Sequence, residues 1–474
     1  MSQPLPLIIG ADRVSTDTTA EVRNPWDQST IARVSMADRA MLDRAVAAAK
    51  EAFKTTRVQP PHERAEVLAK IALKLSERRD EFARTIVQEA GKPIALAEAE
   101  VGRAIINFTA AAEAARKTHG ALLDAGAFAP GAGHVAIMRR FPAGVVYGMS
   151  PFNFPLNLVV HKLAPALAVG APIILKPSPR TPISTIKIAE LALECGALPG
   201  SVNVVNCPND LATYLAEHDE VKVVSFTGSA PVGWQIKAKA LKKKVTLELG
   251  GNAAVVVHDD ADLAAAVPAI ATGAFGYAGQ SCISVQRILV QRRIYESVRD
   301  QLISHVRAKV KAGDPNDRGV LVGPMIDQAS QDRVLKLIDS ARKAGATLLT
   351  GGTAVGPCVE PTLLENVPGD HELCVEEAFA PIAMLMPYDS FSDAIRMANH
   401  SRYGLQAGVY TRDLARAFKA FESLDVGGVL INQPPTMRID NLPYGGVKDS
   451  GFGREGIDCA IEEYTEPRTL VMKL

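Results

Sequence analysis

Cys282 lies in Gly279-Gln280-Ser281-Cys282-Ile283, 34 residues after Glu248 in Leu247-Glu248-Leu249-Gly250-Gly251-Asn252. Asn153 stands well upstream, in Pro151-Phe152-Asn153-Phe154-Pro155. A thiol, a carboxylate and a carboxamide in turn-rich settings can act as nucleophile, base and polariser for a carbonyl. With a pKa near ~8.5 a free thiol is only a few per cent ionised at neutral pH, yet it is the best side-chain nucleophile available. Glu248, between Leu247 and Leu249, faces desolvation that would raise its pKa toward a useful general-base value. Asn153 can donate to a developing oxyanion, as can a backbone N–H near the nucleophile. Taken singly, Glu248 also reads as a strand carboxylate turned to solvent, and Asn153 as a turn-holding side chain.

Two further features could hold a phosphorylated ligand. Phe226-Thr227-Gly228-Ser229-Ala230-Pro231-Val232-Gly233 ends a strand and precedes a helix, offering backbone N–H groups and a positive helix end to a pyrophosphate. It lacks the GxGxxG spacing, so by itself it is weak. Lys176, closing Ile173-Ile174-Leu175-Lys176-Pro177, can point a cation at a ribose or phosphate from a strand's carboxyl end.

The elements that must position these groups read as α/β. Leu42, Val46, Ala49 and Phe53 share a helical face, as do Leu68, Ile71 and Leu75, so the first third reads as helices. Gly91 followed by Pro93 predicts a helix stop. A Gly/Ala/Pro-rich break near 121–134 predicts a linker or a hairpin leaving the main body. From Val145 short apolar strands alternate with helices: Val145–Gly148, Pro172–Lys176, Val202–Val205, Val221–Phe226, Val245–Leu249 and Ala253–Val257. That alternation predicts βαβ units and a largely parallel sheet covered on both faces. A second α/β stretch is expected from about Asp262.

Bulk properties narrow the class. Lys plus Arg and Asp plus Glu each total 52, so the formal net charge is zero, with no electrostatic footprint for nucleic acid or an anionic membrane. Six scattered cysteines show no metal-ligand spacing, and five of them read as inert reduced thiols. The start lacks a basic n-region, and no segment has eighteen uninterrupted apolar residues. The expectation is a soluble, cytoplasmic protein.

In this order the motifs resemble the aldehyde dehydrogenase superfamily over nearly the whole chain. The resemblance rests on Glu89-Ala90-Gly91-Lys92-Pro93, the Pro-Phe-Asn-Phe-Pro box, Leu175-Lys176-Pro177-Ser178, Leu198-Pro199-Gly200, Phe226-Thr227-Gly228-Ser229 and Glu248-Leu249-Gly250-Gly251. It continues through Gly279-Gln280-Ser281-Cys282, Gly323-Pro324, Glu376-Glu377-Ala378-Phe379-Ala380-Pro381, Asn432 and Pro443-Tyr444-Gly445-Gly446-Val447-Lys448-Asp449-Ser450-Gly451. It implies a Rossmann-like cofactor domain (1–120 and 141–249), an α/β catalytic domain (250–455) and a small β oligomerisation element (121–140 and 456–474), in a homodimer or homotetramer.

The resemblance also implies NAD or NADP as cofactor, no metal, and a small aldehyde as substrate. Cys282 would form a thiohemiacetal and then a thioester, Asn153 and the Cys282 N–H would hold the oxyanion, and Glu248 would activate water. Lys176 matches the adenosine-ribose contact, and Gly228 and Ser229 the pyrophosphate turn. Glu377 matches the nicotinamide-ribose carboxylate, with Phe379 nearby. Where many NAD-dependent members carry Glu after Lys-Pro-Ser, this chain has Pro179 and then Arg180, so Ser178 or Arg180 could meet the 2′-phosphate of NADP. Ala380 stands where Gly is usual, a small packing matter. Arg438 falls in the segment lining the family's substrate tunnel, and Arg103 on a helix bordering it. Either could bind an anion or pair with an Asp such as Asp440. Members with similar endings act on lactaldehyde, succinate semialdehyde or phosphorylated and phosphono aldehydes, which favours a short polar or anionic aldehyde. The alternatives are a coenzyme A-acylating enzyme, against which Glu248 argues, and a non-catalytic binding member of the fold.

Overall fold

The computed structural model describes residues 3–117 and 119–474. Residues 1, 2 and 118, which the division above assigns to the cofactor domain, lie outside the described residues.

Five strands form a parallel core in the order Val202–Val204, Ile173–Lys176, Val145–Met149, Val221–Thr227 and Lys244–Glu248. Antiparallel strands extend it, Leu7–Ile9 and Asp12–Val14 at one edge and Gly451–Phe452 at the other. The chain builds outward through its first three parallel strands, then returns and builds the other way. The topological switch point therefore falls between Val145–Met149 and Val221–Thr227, and ligands of such sheets bind beyond the carboxyl ends of the strands there. Asn153 follows the first of these two strands, and Gly228-Ser229 the second.

A second, seven-stranded sheet runs Thr347–Thr350, Thr362–Glu365, Ile382–Tyr388, Val285–Gln291, Ala253–Val257, Gln406–Tyr410 and Gly428–Ile431, parallel except for its first strand. It starts at Ala253, so the second α/β stretch begins earlier than Asp262. Asp262 instead caps the helix Leu263–Phe275, accepting from the Ala264 and Ala265 N–H groups. The Gly/Ala/Pro break opens into a third sheet, in which Gly120–Leu123 and Thr465–Lys473 flank His134–Pro142.

The six strands expected from sequence have ends displaced by at most one residue. Residues 7–35 depart from the helical expectation: four strands of three to six residues precede the first helix, Arg39–Thr56. Runs so short carry too few alternations for a period to register. Gly91 does end the helix Arg79–Ala90, in the left-handed conformation.

The helix Asn157–Val169 is buried over its whole length. A helix apolar on all sides belongs inside a protein, but this one carries His161 and Lys162 into the core. Buried charges must be paired, and their partners converge on the site described next. Among the described residues no helix is long and apolar enough to cross a membrane.

Candidate active site

The loop that carries Cys282 is held in an unusual backbone conformation. After the helix Leu263–Phe275, Tyr277, Ala278 and Gly279 all take positive φ, at 53°, 55° and 63°. Two non-glycine residues in this region store strain that only surrounding packing can maintain. The Tyr277 hydroxyl donates to the Ala90 carbonyl at 3.0 Å. The Gln280 side chain donates to the Pro324 carbonyl at 3.2 Å and accepts from the Ile326 N–H at 3.0 Å. Thus anchored, the loop presents a half-buried Cys282 to a cavity of about 270 Å³. Burial pushes the thiol up to about 12, while a hydrogen bond with the Tyr444 hydroxyl, 3.6 Å from Sγ, pulls it down. The Cys282 N–H makes no hydrogen bond to a described residue.

Asn153 is brought to this loop. Its Nδ2 donates one hydrogen to the Gln280 carbonyl at 3.0 Å, which fixes the carboxamide two residues before the thiol and leaves its second N–H to give. Glu248, the last residue of its strand, is buried, and neither carboxyl oxygen has a hydrogen-bond partner among the described residues. Desolvation drives its pKa well above the usual carboxylate range; the charge of Glu455 adds to this, and Arg438 and Lys162 oppose it. The solvent-facing alternative for Glu248 does not hold.

The cofactor-side residues also converge. Lys176 is buried at the carboxyl end of its strand, with Nζ 3.3 Å from Asn209 Oδ1. Ser178 Oγ accepts from the Arg180 N–H at 3.2 Å, and the Arg180 guanidinium pairs with Asp327 at 2.7 Å. The Gly228 N–H donates to the Glu248 carbonyl at 3.0 Å, so the turn and Glu248 share a backbone bond. Ser229 starts the helix Ala230–Lys239 without capping it by its side chain, leaving the first amides available to an anion. Glu377 accepts from the Gly251 N–H at 3.0 Å, and burial pushes its carboxyl up to about 7. Phe379, at φ 45°, packs edge-on to Phe152 with ring centres 5.8 Å apart.

Arg103 and Arg438 both line the Cys282 cavity, as do Lys92 and Tyr444. Arg103 forks onto Asp440 with Nε and Nη2 at 2.8 and 2.7 Å. Arg438 pairs with Glu455 at 3.1 Å, approaches Asp440 at 3.2 Å, and covers the Tyr444 ring at 3.6 Å. Each of these arginines thus pairs with Asp440, as the structural reading expected, and each also lines the cavity.

A family model for the aldehyde dehydrogenase family matches residues 13–470. The chain belongs to that family. This aldehyde dehydrogenase is 41% identical over 470 residues to a 3-sulfolactaldehyde dehydrogenase of Priestia aryabhattai, covering 99% of this chain and 98% of the relative. Among solved structures it resembles aldehyde dehydrogenase 21 of Physcomitrella patens in complex with the reaction product succinate, at TM-score 0.97 and 38% identity, covering 100% of this chain and 99% of the other. It also resembles a glyceraldehyde-3-phosphate dehydrogenase of Methanocaldococcus jannaschii complexed with NADP, at TM-score 0.92 and 34% identity, covering 97% and 100%.

Sequence reasoning missed the charges behind this dehydrogenase's cavity. Lys162 bonds Glu455 at 3.0 Å and Thr227 at 2.7 Å, and His161 lies 2.9 Å from Asp440. Lys92 is wholly buried on Glu100, 3.5 Å over the Phe154 ring, with its ammonium lowered by burial to about 8. The other Glu100 oxygen accepts from the Leu156 and Asn157 N–H groups at 3.0 and 3.1 Å, closing the start of the buried helix. The signal was present for one pair: His161-Lys162 interrupts an apolar run, and ionisable residues in such runs are rarely buried unless paired.

Proposed function

We propose that this enzyme oxidises a short aliphatic aldehyde bearing an anionic group to its carboxylic acid, using NAD or NADP. The carrying observation is that Cys282 shares its cavity with Arg103 and Arg438. Behind the wall three cations, Arg103, Lys162 and Arg438, face two carboxylates, Asp440 and Glu455. Burial lowers the pKa of His161, so it adds no charge at neutral pH. The net positive charge favours a carboxylate, sulfonate or phosphate on the substrate, best met by the planar fork of arginine. The relatives named for sulfolactaldehyde and glyceraldehyde-3-phosphate, and the aldehyde dehydrogenase 21 holding the reaction product succinate, support the same class.

In this reading the Cys282 thiolate adds to the aldehyde carbon, and the oxygen that becomes negative is held by the second Asn153 N–H and the Cys282 N–H. The nicotinamide ring, when bound, supplies the hydride acceptor. Lys176 would meet the adenosine ribose and Ser178 or Arg180 the 2′-phosphate of NADP, Gly228, Ser229 and the uncapped helix start would meet the pyrophosphate, and Glu377 would hold the other ribose, with Phe379 packed beside it. Glu248, poised by desolvation, takes a proton from the water that releases the acyl group from sulfur. The cofactor body would be 1–120 and 141–249, and the catalytic body 250–455. Segments 121–140 and 456–474, whose Leu122, Phe128, Leu470 and Val471 are exposed, would join two or four copies.

The test is cofactor reduction over matched anionic and neutral aldehydes, each with NAD and NADP. Cys282→Ala should abolish turnover. Glu248→Gln should keep a single-turnover burst and lose about 10²–10⁴-fold in the steady state. A Glu248→Gln enzyme turning over at the wild-type rate would remove Glu248 from the mechanism.

A further inference from the structure

Tyr444 is buried at 6% exposure, beside Cys282 in a small apolar cluster with Ile283 and Leu405. Its hydroxyl makes one hydrogen bond among the described residues, to Cys282 Sγ at 3.6 Å. A buried tyrosine hydroxyl ordinarily finds a partner, and here the partner is the nucleophile. The geometry is fixed from two sides. The Tyr444 backbone exchanges hydrogen bonds with Glu455 at 3.0 and 2.7 Å. The Arg438 guanidinium lies over the ring at 3.6 Å and is itself held by Glu455. A cation on the ring face draws electron density from the phenol and makes its O–H a better donor.

An apolar cluster is a poor setting for a thiolate, and Tyr444 is the one side-chain donor among the described residues within bonding distance of the sulfur. We propose that Tyr444 is a further catalytic residue: its hydroxyl donates a hydrogen bond to the Cys282 thiolate, with Arg438 positioning and polarising the ring. The thiol proton leaves to water while the phenol keeps its own, so the hydroxyl stabilises charge without transferring a proton. Phenylalanine would pack equally well here and supply no donor. This assignment rests on Cys282 being the nucleophile, as proposed above.

The experiment is alkylation of Cys282 by iodoacetamide in the full chain, without cofactor or aldehyde, from pH 6 to 11. Modification is followed on the Cys282 peptide by mass spectrometry, with rates normalised to the urea-unfolded protein. Tyr444→Phe should slow alkylation about tenfold at every pH up to 11, as expected for loss of a charge-assisted bond. Ile283→Val, which alters the same cluster and leaves the donor, should keep the wild-type profile. Coincident profiles for Tyr444→Phe and wild type, or an equal shift in Ile283→Val, would overturn the assignment while Cys282→Ala still abolishes turnover. Turnover by Cys282→Ala would instead remove the nucleophile, and this proposal with it.

Discussion

Gly251 lies so close to the Cys282 carbonyl oxygen that no Cβ fits between them. The two glycines after Glu248 therefore do more than end a strand. A Cβ at Gly250 would stand 2.5 Å from a Glu377 oxygen, so the first glycine makes room for the Glu377 carboxylate. The second lets the strand of Glu248 rest on the loop of Cys282. Their spacing is set by backbone contact, which is stiffer than any pair of side chains.

Gly251→Ala should push that loop away. Overpacking costs about 1–3 kcal/mol, and displacing a catalytic group by an ångström can cost about 10²-fold in rate. The expected outcome is a large loss of kcat with a modest drop in melting temperature, read by steady-state kinetics and thermal unfolding. Wild-type kcat in the alanine variant would show that the contact does not set the geometry.

Glu89 closes the start of the helix Ile183–Glu194, accepting from the Ile183 and Ser184 N–H groups at 2.7 and 2.9 Å. Burial pushes its carboxyl up to about 7, against the pull of those donors. The folded protein thus keeps a proton that the unfolded chain releases near pH 4.5. Stability from this group is whole below that pH and is lost as pH rises through about 7. At about 1.4 kcal/mol per unit the loss is on the order of 3 kcal/mol. Glu89→Gln, neutral throughout, should flatten the fall in melting temperature between pH 5 and 8; an unchanged slope would assign that fall to other groups.

The expected parallel strands of both sheets were legible because they are largely apolar runs, such as Ala253–Val257, between turn residues. The candidate trio of Cys282, Glu248 and Asn153 was legible only in combination: Glu248 and Asn153 each had an ordinary structural explanation until the motifs stood in register. The charges behind the cavity were not legible as a group. Arg103 and Asp440 are 337 residues apart in sequence, and Lys162 and Glu455 are 293 apart. No local pattern links residues that meet only when a buried helix packs against a distant loop. Tyr444 was in view as part of a motif, but its meeting with Sγ depends on the tertiary fold.

Arg180 offers a test of cofactor choice. Its pairing with Asp327 is exposed on the arginine side, and such pairs are worth only about 0–1 kcal/mol. With Pro179 in place of a carboxylate, nothing at that position repels a 2′-phosphate. Arg180 can exchange Asp327 for that phosphate at little cost. Arg180→Ala should raise KM for NADP about tenfold more than for NAD. Asp327→Asn should lower it, since Asn still caps the helix Gln328–Lys343 while releasing the arginine. If neither variant changes the ratio of the two KM values, Arg180 does not face the phosphate.

Arg103 and Arg438 should separate by the kind of damage their loss causes. Arg103 commits Nε and Nη2 to Asp440 and leaves Nη1 uncommitted, and its side chain is 27% exposed. Arg438 is almost wholly buried, and its removal would leave Glu455 and Asp440 short of a partner in the protein interior. Breaking a buried pair in this way costs about 3–5 kcal/mol. Arg438→Ala should therefore lower the melting temperature and reduce kcat for every aldehyde, whatever its charge. Arg103→Ala should leave kcat nearly unchanged and raise KM at least tenfold for anionic aldehydes, with little effect on neutral ones of equal length. Kinetics on matched aldehydes, with thermal unfolding of both variants, read the difference. A charge-selective KM effect in Arg438→Ala and none in Arg103→Ala would transfer the anion contact to the buried arginine.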